Sequence, residues 1–169
     1  MWRKIVFPVD DEKVSDLKIG EQILISGRIY CGRDAVLPRI VELYKKGRLD
    51  SEGINLKGSL IFHTAVSHAG VGPTSSNKKE IEDSISILSE AGVRMHLGKG
   101  ALKIDTIRDL NKYGSVYAVI PPVTALLESR TKSKRIVAFP ELGMEALYEL
   151  EVDGYPAVIA AAKGESIYD

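Results

Sequence analysis

Residues 70–100 read GVGPTSSNKKEIEDSISILSEAGVRMHLGKG, and the helix and strand inside this stretch decide the fold. Gly72 and Pro73 predict a tight turn. Ser75, Ser76 or Asn77 can cap a helix beginning just after them, and Glu80 lies three residues after Asn77 as in a capping box. Ile81, Ile85, Leu88 and, less closely, Ala91 then share one face of a 3.6-residue period that stops at Gly92. Val93, Met95 and Leu97 alternate as a strand ending at Gly98-Lys99-Gly100, while Leu60 to His63 form a buried strand on the near side.

The start of this helix carries an electrostatic conflict. Lys78 and Lys79 occupy its first turn, where the macrodipole is already positive and carboxylates are favoured. Solvated lysines paired with Glu80, Glu82 or Asp83 are one resolution, at a cost of about a few tenths of a kcal/mol. A bound anion is the other, because helix N-terminal amides and two ammonium groups would then face the same negative charge. Lys99 between two glycines and Arg33 just ahead of a second predicted helix admit the same pair of readings, a solvated or locally paired cation or an anion grip.

Size and charge narrow the classes. The 169 residues suffice for one domain, 1–169, with a real core. Formal net charge is zero, so bulk electrostatics argue for neither a nucleic-acid nor a membrane partner. Cys31 is the sole cysteine, which excludes an intramolecular disulfide, fits a reducing compartment and cannot hold an iron-sulfur cluster. His63, His68 and His96 lack helical i, i+4 spacing, so the chain is expected to bind no metal of its own. No apolar run is long enough to span a bilayer and the first residues lack a signal peptide's apolar region, so a soluble, unprocessed, cytoplasmic chain is expected.

Along the rest of the chain, residues 2–7 predict a strand closed by Pro8 and an acidic turn at Asp10, Asp11 and Glu12, with a weak strand or turn over 14–17. Ile23-Leu24-Ile25, Gly27, Ile29 and Tyr30 predict a strand bent or bulged at the glycine. A helix should follow to Lys46, with Asp34 as its N-cap and Val36, Leu37, Ile40, Val41 and Tyr44 on its apolar face. A helix over 104–113 uses Ile104, Ile107 and Leu110, and a strand runs over 116–120. Pro121-Pro122 opens a helix to Ser129, whose C-terminus the cations Arg130, Lys132, Lys134 and Arg135 complement. Strand 136–139, a short helical turn at 140–145 and a hairpin turning at Asp153-Gly154 complete an α/β layered domain. Neither a dinucleotide-binding glycine motif nor a Walker A motif is present. His63 reads as a satisfied core or rim histidine and not as a base.

Taken together, Ser26-Gly27, Tyr30 to Asp34, Gly72-Pro73-Thr74-Ser75-Ser76, Gly98-Lys99-Gly100 and Glu141-Leu142-Gly143-Met144-Glu145 resemble the β subunit of class I fumarate hydratase and L(+)-tartrate dehydratase. The resemblance implies a swivelling β/β/α layered domain with a curled mixed or antiparallel sheet and flanking helices. It implies a lyase of the hydro-lyase class, a tricarboxylic acid cycle reaction in the fumarate case. A larger cluster-bearing α subunit, as a heterodimer or α2β2 assembly, would carry a 4Fe-4S cluster, and this chain would bind no cofactor. The family's proposed catalytic threonine falls on Thr74, and its substrate-carboxylate residues fall on Arg33, Lys99 and Lys78, the last usually an arginine.

Three departures from the resemblance bear on substrate more than on reaction class. Leu37 stands where close relatives carry a histidine, Lys78 replaces a bidentate fork by a point charge, and Pro121-Pro122 replaces a glycine-rich turn. The implied reaction is reversible hydration of fumarate to (S)-malate, with L(+)-tartrate or another hydroxy-dicarboxylate as the alternative. A carboxylate-binding or assembly module without catalysis is the rival from another class, and nucleic-acid binding through residues 130–135 is a third.

Overall fold

A computed structural model describes residues 2–67, 70–74, 78–120 and 124–168, with side chains outside 67–81 and 121–124. Strand β1 (Arg3–Phe7) turns Ile5 and Phe7 inward. The acidic residues after it form no turn; they are the first turn of α1 (Asp11–Ser15), where carboxylates complement the dipole and the Asp10 side chain accepts from the Lys13 amide at 3.2 Å. Of the weak strand or turn expected over 14–17, the strand is corrected: Val14 and Ser15 end this helix, which buries Val14, and Asp16 forms the turn after it.

Next come β2 (Gln22–Cys31), α2 (Leu37–Lys45), β3 (Leu60–Phe62), β4 (Thr64–Ser67) and β5 (Gly70–Thr74). The predicted turn at Gly72-Pro73 is instead part of β5, which pairs with β4 antiparallel from Ser67↔Gly70 to Thr64↔Thr74. The expected caps Ser75, Ser76 and Asn77 lie outside the described residues. Helix α3 (Lys78–Glu90) begins on the two lysines as predicted. Then follow β6 (Met95–Gly98), α4 (Ile104–Tyr113), β7 (Val116–Val119), α5 (Thr124–Ser129), β8 (Thr131–Ala138), the 3₁₀ segment Pro140–Glu145, β9 (Leu147–Ala162) and β10 (Glu165–Ser166).

Strands β1, β2, β3, β6 and β7 run parallel, and β9 pairs antiparallel with both β7 and β2. The sheet thereby closes into a five-strand ring, β2-β3-β6-β7-β9, with β1, β8 and β10 paired outside it. Closure depends on two long strands. β2 offers one edge to β9 along its whole length and shares the other between β1 and β3, while β9 shares its second edge between β8 and β7.

Alternation along the strands sorts side chains between two layers. Ile29 and Cys31, Leu60 and Phe62, and Met95 and Leu97 fill the ring with Leu150, Tyr155 and Ile159. Tyr30 and Ile61 instead pack outward under α2 and α3, against Leu37, Ile40 and Leu88. Tyr117 packs under α4 with Ile107 and Leu110. Ile104, assigned to that face by periodicity, is 59% exposed because it opens the helix's first turn.

Two further expectations are corrected by the sheet. Asp153-Gly154 is no hairpin turn but a bulge within continuous β9: Ile25 faces Tyr155 and Ser26 faces Asp153, leaving Gly154 extra, with its amide donating to Ser26 Oγ at 3.0 Å. Arg130 directly follows the C-terminus of α5, as expected, but Lys132, Lys134 and Arg135 lie farther on, in β8, where Lys134 pairs with Glu128 and Arg135 with Glu149.

Candidate functional site: the strand ends around Arg33

The C-terminal ends of β2, β3 and β6 meet at one place, and the backbone bonds there fix where the chain goes on leaving each strand. The Gly32 amide donates to the Phe62 carbonyl at 3.0 Å, so Arg33 leaves β2 beside the end of β3. His63 N donates to Leu97 O at 2.9 Å, placing Lys99 two residues beyond the same level. Thr64 follows directly and pairs with Thr74, so the end of β5 returns to the end of β3. Helix α3 starts four residues after Thr74 and runs back toward the start of β6, which puts the Lys78 backbone at this same edge. The backbone thus brings Arg33, Thr74, Lys78 and Lys99 to one end of the sheet, where loops after parallel strands form ligand crevices in α/β folds. The side chains of Thr74 and Lys78 lie outside the described ones.

Arg33 is held firmly. Its Nε donates to Glu145 Oε1 at 2.9 Å and Oε2 at 2.8 Å, and its Nη2 donates to Oε2 at 2.5 Å. Asp34, the partner that sequence proximity offers, stands at 4.0 Å. The hydrogen bonds to Glu145 raise the guanidinium pKa above its ordinary value, so Arg33 is charged at any working pH. Its carbonyl accepts from the amides of Val36 and Leu37, making a tight turn into α2. Asp34 is consequently not the N-cap; Val36 is, with no side-chain bond to the helix. Leu37 is fully buried in the layer under α2, so the position offers no acid or base.

Lys99 is exposed on a turn that is itself pinned. Tyr117 Oη donates to the Gly100 carbonyl at 3.1 Å, Gly100 has φ +79°, and a Cβ on Gly98 would stand 3.2 Å from the same hydroxyl. Gly100 is thus favoured by its left-handed backbone and Gly98 by the close approach of the Tyr117 hydroxyl. Below this surface His63 and His96 are buried, Nε2 to Nδ1 at 2.9 Å, and His96 Nε2 lies 3.0 Å from Ser89 Oγ.

Against this geometry, the family model described as Fumarase C-terminus matches residues 4–169. The chain belongs to the Fumarase C-terminus family. It is 32% identical to a Methanocaldococcus jannaschii protein provisionally named L(+)-tartrate dehydratase subunit beta, over 92% of this chain and 86% of that one. It is 26% identical to the Escherichia coli L(+)-tartrate dehydratase subunit beta, over 95% and 83% respectively. The Escherichia coli anaerobic class I fumarate hydratase is also 26% identical over 87% of this chain, which spans only 28% of that longer protein.

Within this Fumarase C-terminus domain, sequence reasoning did not identify Glu145 as the partner of Arg33, although the motif containing it was singled out. The two residues lie 112 positions apart, and no local pattern links them. His63 proves to be a core histidine, with His96 bonded at its Nε2, a partner that spacing alone does not disclose. A cleft of about 160 Å³ lies elsewhere, lined by Arg28, Tyr30, Lys57, Arg135 and Glu149 among others, and by none of Arg33, Lys99 or Glu145. No group of three or more His, Cys, Asp or Glu among the described residues is arranged to hold a metal ion. No helix among them is long and apolar enough to cross a membrane.

Proposed function

We propose that this chain is the β subunit of a heteromeric hydro-lyase that interconverts fumarate and (S)-malate, supplying a cationic cradle for the substrate's carboxylates and a threonine for its proton. What supports the reading is that the backbone at Arg33, Thr74, Lys78 and Lys99 gathers at one end of the sheet in a Fumarase C-terminus domain. Arg33 binds one carboxylate. Lys78, at the positive end of α3, and Lys99 add charge for a dianion. The bound dianion also resolves the conflict of lysines at a helix start.

Thr74 takes up the proton from the carbon beside the one that loses hydroxide, and returns it in the hydration direction. A threonine hydroxyl is a very weak base, so its alkoxide form must be stabilised by the surrounding cations or by a group of the partner chain. An oxygen-sensitive 4Fe-4S cluster on the α chain would supply Lewis acidity toward the departing hydroxyl. This chain does not fit such a cluster: Cys31 is its one cysteine, is wholly buried, and has its thiol pKa pushed up by burial. Its own tasks are binding, orientation and proton handling.

One observation favours tartrate as the substrate. The relatives of nearly this length are named for tartrate dehydratase, whereas the matched part is only 28% of the fumarate hydratase compared. Coexpression with a cluster-bearing α chain and anaerobic assay of (S)-malate and L(+)-tartrate dehydration decides between them. Thr74→Ala is expected to lower kcat roughly 100-fold or more on the preferred acid. Unchanged turnover removes Thr74 from the mechanism, and turnover of neither acid contradicts the hydro-lyase reading.

A further inference from the structure

The chemistry of the Arg33–Glu145 pair goes beyond holding two loops together. A guanidinium presents five N–H groups in one plane, two along the Nε–Nη2 edge and two along the Nη1–Nη2 fork. Glu145 accepts at both Nε and Nη2 and so takes the first edge completely. Planarity then turns the Nη1–Nη2 fork away from Glu145, at a fixed angle to the strand ends.

Glu145 is itself delivered by an unusual backbone. Phe139, which precedes the 3₁₀ segment, has φ +55°, and Gly143 within it has φ +60° and ψ −123°. These two positive-φ positions fold Pro140–Glu145 back over the start of α2. There Arg39 lies 5.3 Å over the Phe139 ring and 3.3 Å from Glu141. The same segment packs on β4, the strand whose Thr64 pairs with Thr74. Both carboxylate and guanidinium are about a quarter exposed, so the pair lies at the surface of the site and is not sealed in the core.

We propose that Glu145 is a positioning residue for substrate binding: by occupying the Nε–Nη2 edge of Arg33 it aims the remaining fork at one carboxylate of the dianion. The assignment rests on the functional reading above. An opposite role is chemically distinct and gives the opposite sign. If Glu145 were a stand-in that competes with the substrate for Arg33, removing its charge would tighten substrate binding; as a positioning group, removing it loosens binding.

The test compares Arg33→Ala, Glu145→Gln, Glu145→Asp and the Arg33→Ala/Glu145→Gln double variant. Each is assembled with the α chain and assayed with (S)-malate and L(+)-tartrate. Glu145→Gln is expected to raise KM about tenfold or more and change kcat less than about threefold, since the loss is in binding geometry. Glu145→Asp, with its charge on a shorter arm, recovers part of that KM. The double variant matches Arg33→Ala, because Glu145 acts through Arg33. A misfolded fraction would depress apparent kcat and leave KM alone. An unchanged or lower KM in Glu145→Gln, alongside a raised KM in Arg33→Ala, overturns the positioning role and leaves the function standing. A normal KM in Arg33→Ala, or an unmodified complex inactive on both acids, overturns the functional reading and this assignment with it.

Discussion

His96 is wholly buried, between His63 on one ring nitrogen and Ser89 on the other. Burial first, and the neighbouring His63 second, hold its pKa well below the ordinary 6.5, so the ring is neutral in the fold. Unfolded, it regains the ordinary value. Below about pH 6.5 the unfolded chain therefore binds more protons, and the stability that His96 contributes, complete above that pH, is lost as the pH falls toward its folded pKa. The Tm of the unmodified chain should drop more steeply than that of His96→Gln between about pH 7 and about pH 5.5. Parallel curves would show that His96 does not carry the acid sensitivity. The contrast with the surface is instructive. Arg33, Lys78 and Lys99 stand out in the sequence because each sits in a short motif or at a helix start where its charge is anomalous. The pairings that fix the site, Arg33 with Glu145 and His63 with His96, do not, because they join residues 112 and 33 positions apart.

At the scale of elements, glycines show which sequence signals were sufficient. The bend expected at Gly27 is present, φ +97° in β2, and a Cβ there would stand 2.3 Å from the Phe7 carbonyl oxygen of the paired β1. Gly47 also has a positive φ, +67°, but nothing within 4 Å of the same added atom. Gly27→Ala should therefore cost about 2–4 kcal/mol and Gly47→Ala only about 1 kcal/mol, read as midpoint shifts in urea with unchanged slope. Equal losses would contradict the close approach of β1 to β2. Asp153-Gly154 carried an equally strong local signal that misled. An Asp-Gly pair between apolar runs reads as a hairpin turn, yet a partner strand as long as β2 lets β9 continue through it as a bulge. Asp10 misled in the other direction, since its acidic followers suit a helix's first turn as well as a loop.

At the scale of the whole molecule, the layered α/β class was readable from alternating helical and strand periods, while ring closure was not. Closure depends on β9 reaching both β7 and β2, a pairing between the end of the chain and its beginning. Five strands in a ring bring the ends of β2, β3 and β6 together, and the backbone at residues 33, 74, 78 and 99 gathers at that end of the ring. In the function proposed above, this chain supplies the cations and the hydroxyl for dehydration of a hydroxy-dicarboxylate, and the α chain supplies the Lewis acid. The decisive measurement is anaerobic dehydration of (S)-malate and L(+)-tartrate by this chain alone, by a cluster-bearing α chain alone, and by the two purified as one complex. Turnover confined to the complex is the predicted result; full activity of the α chain without this one would contradict the account.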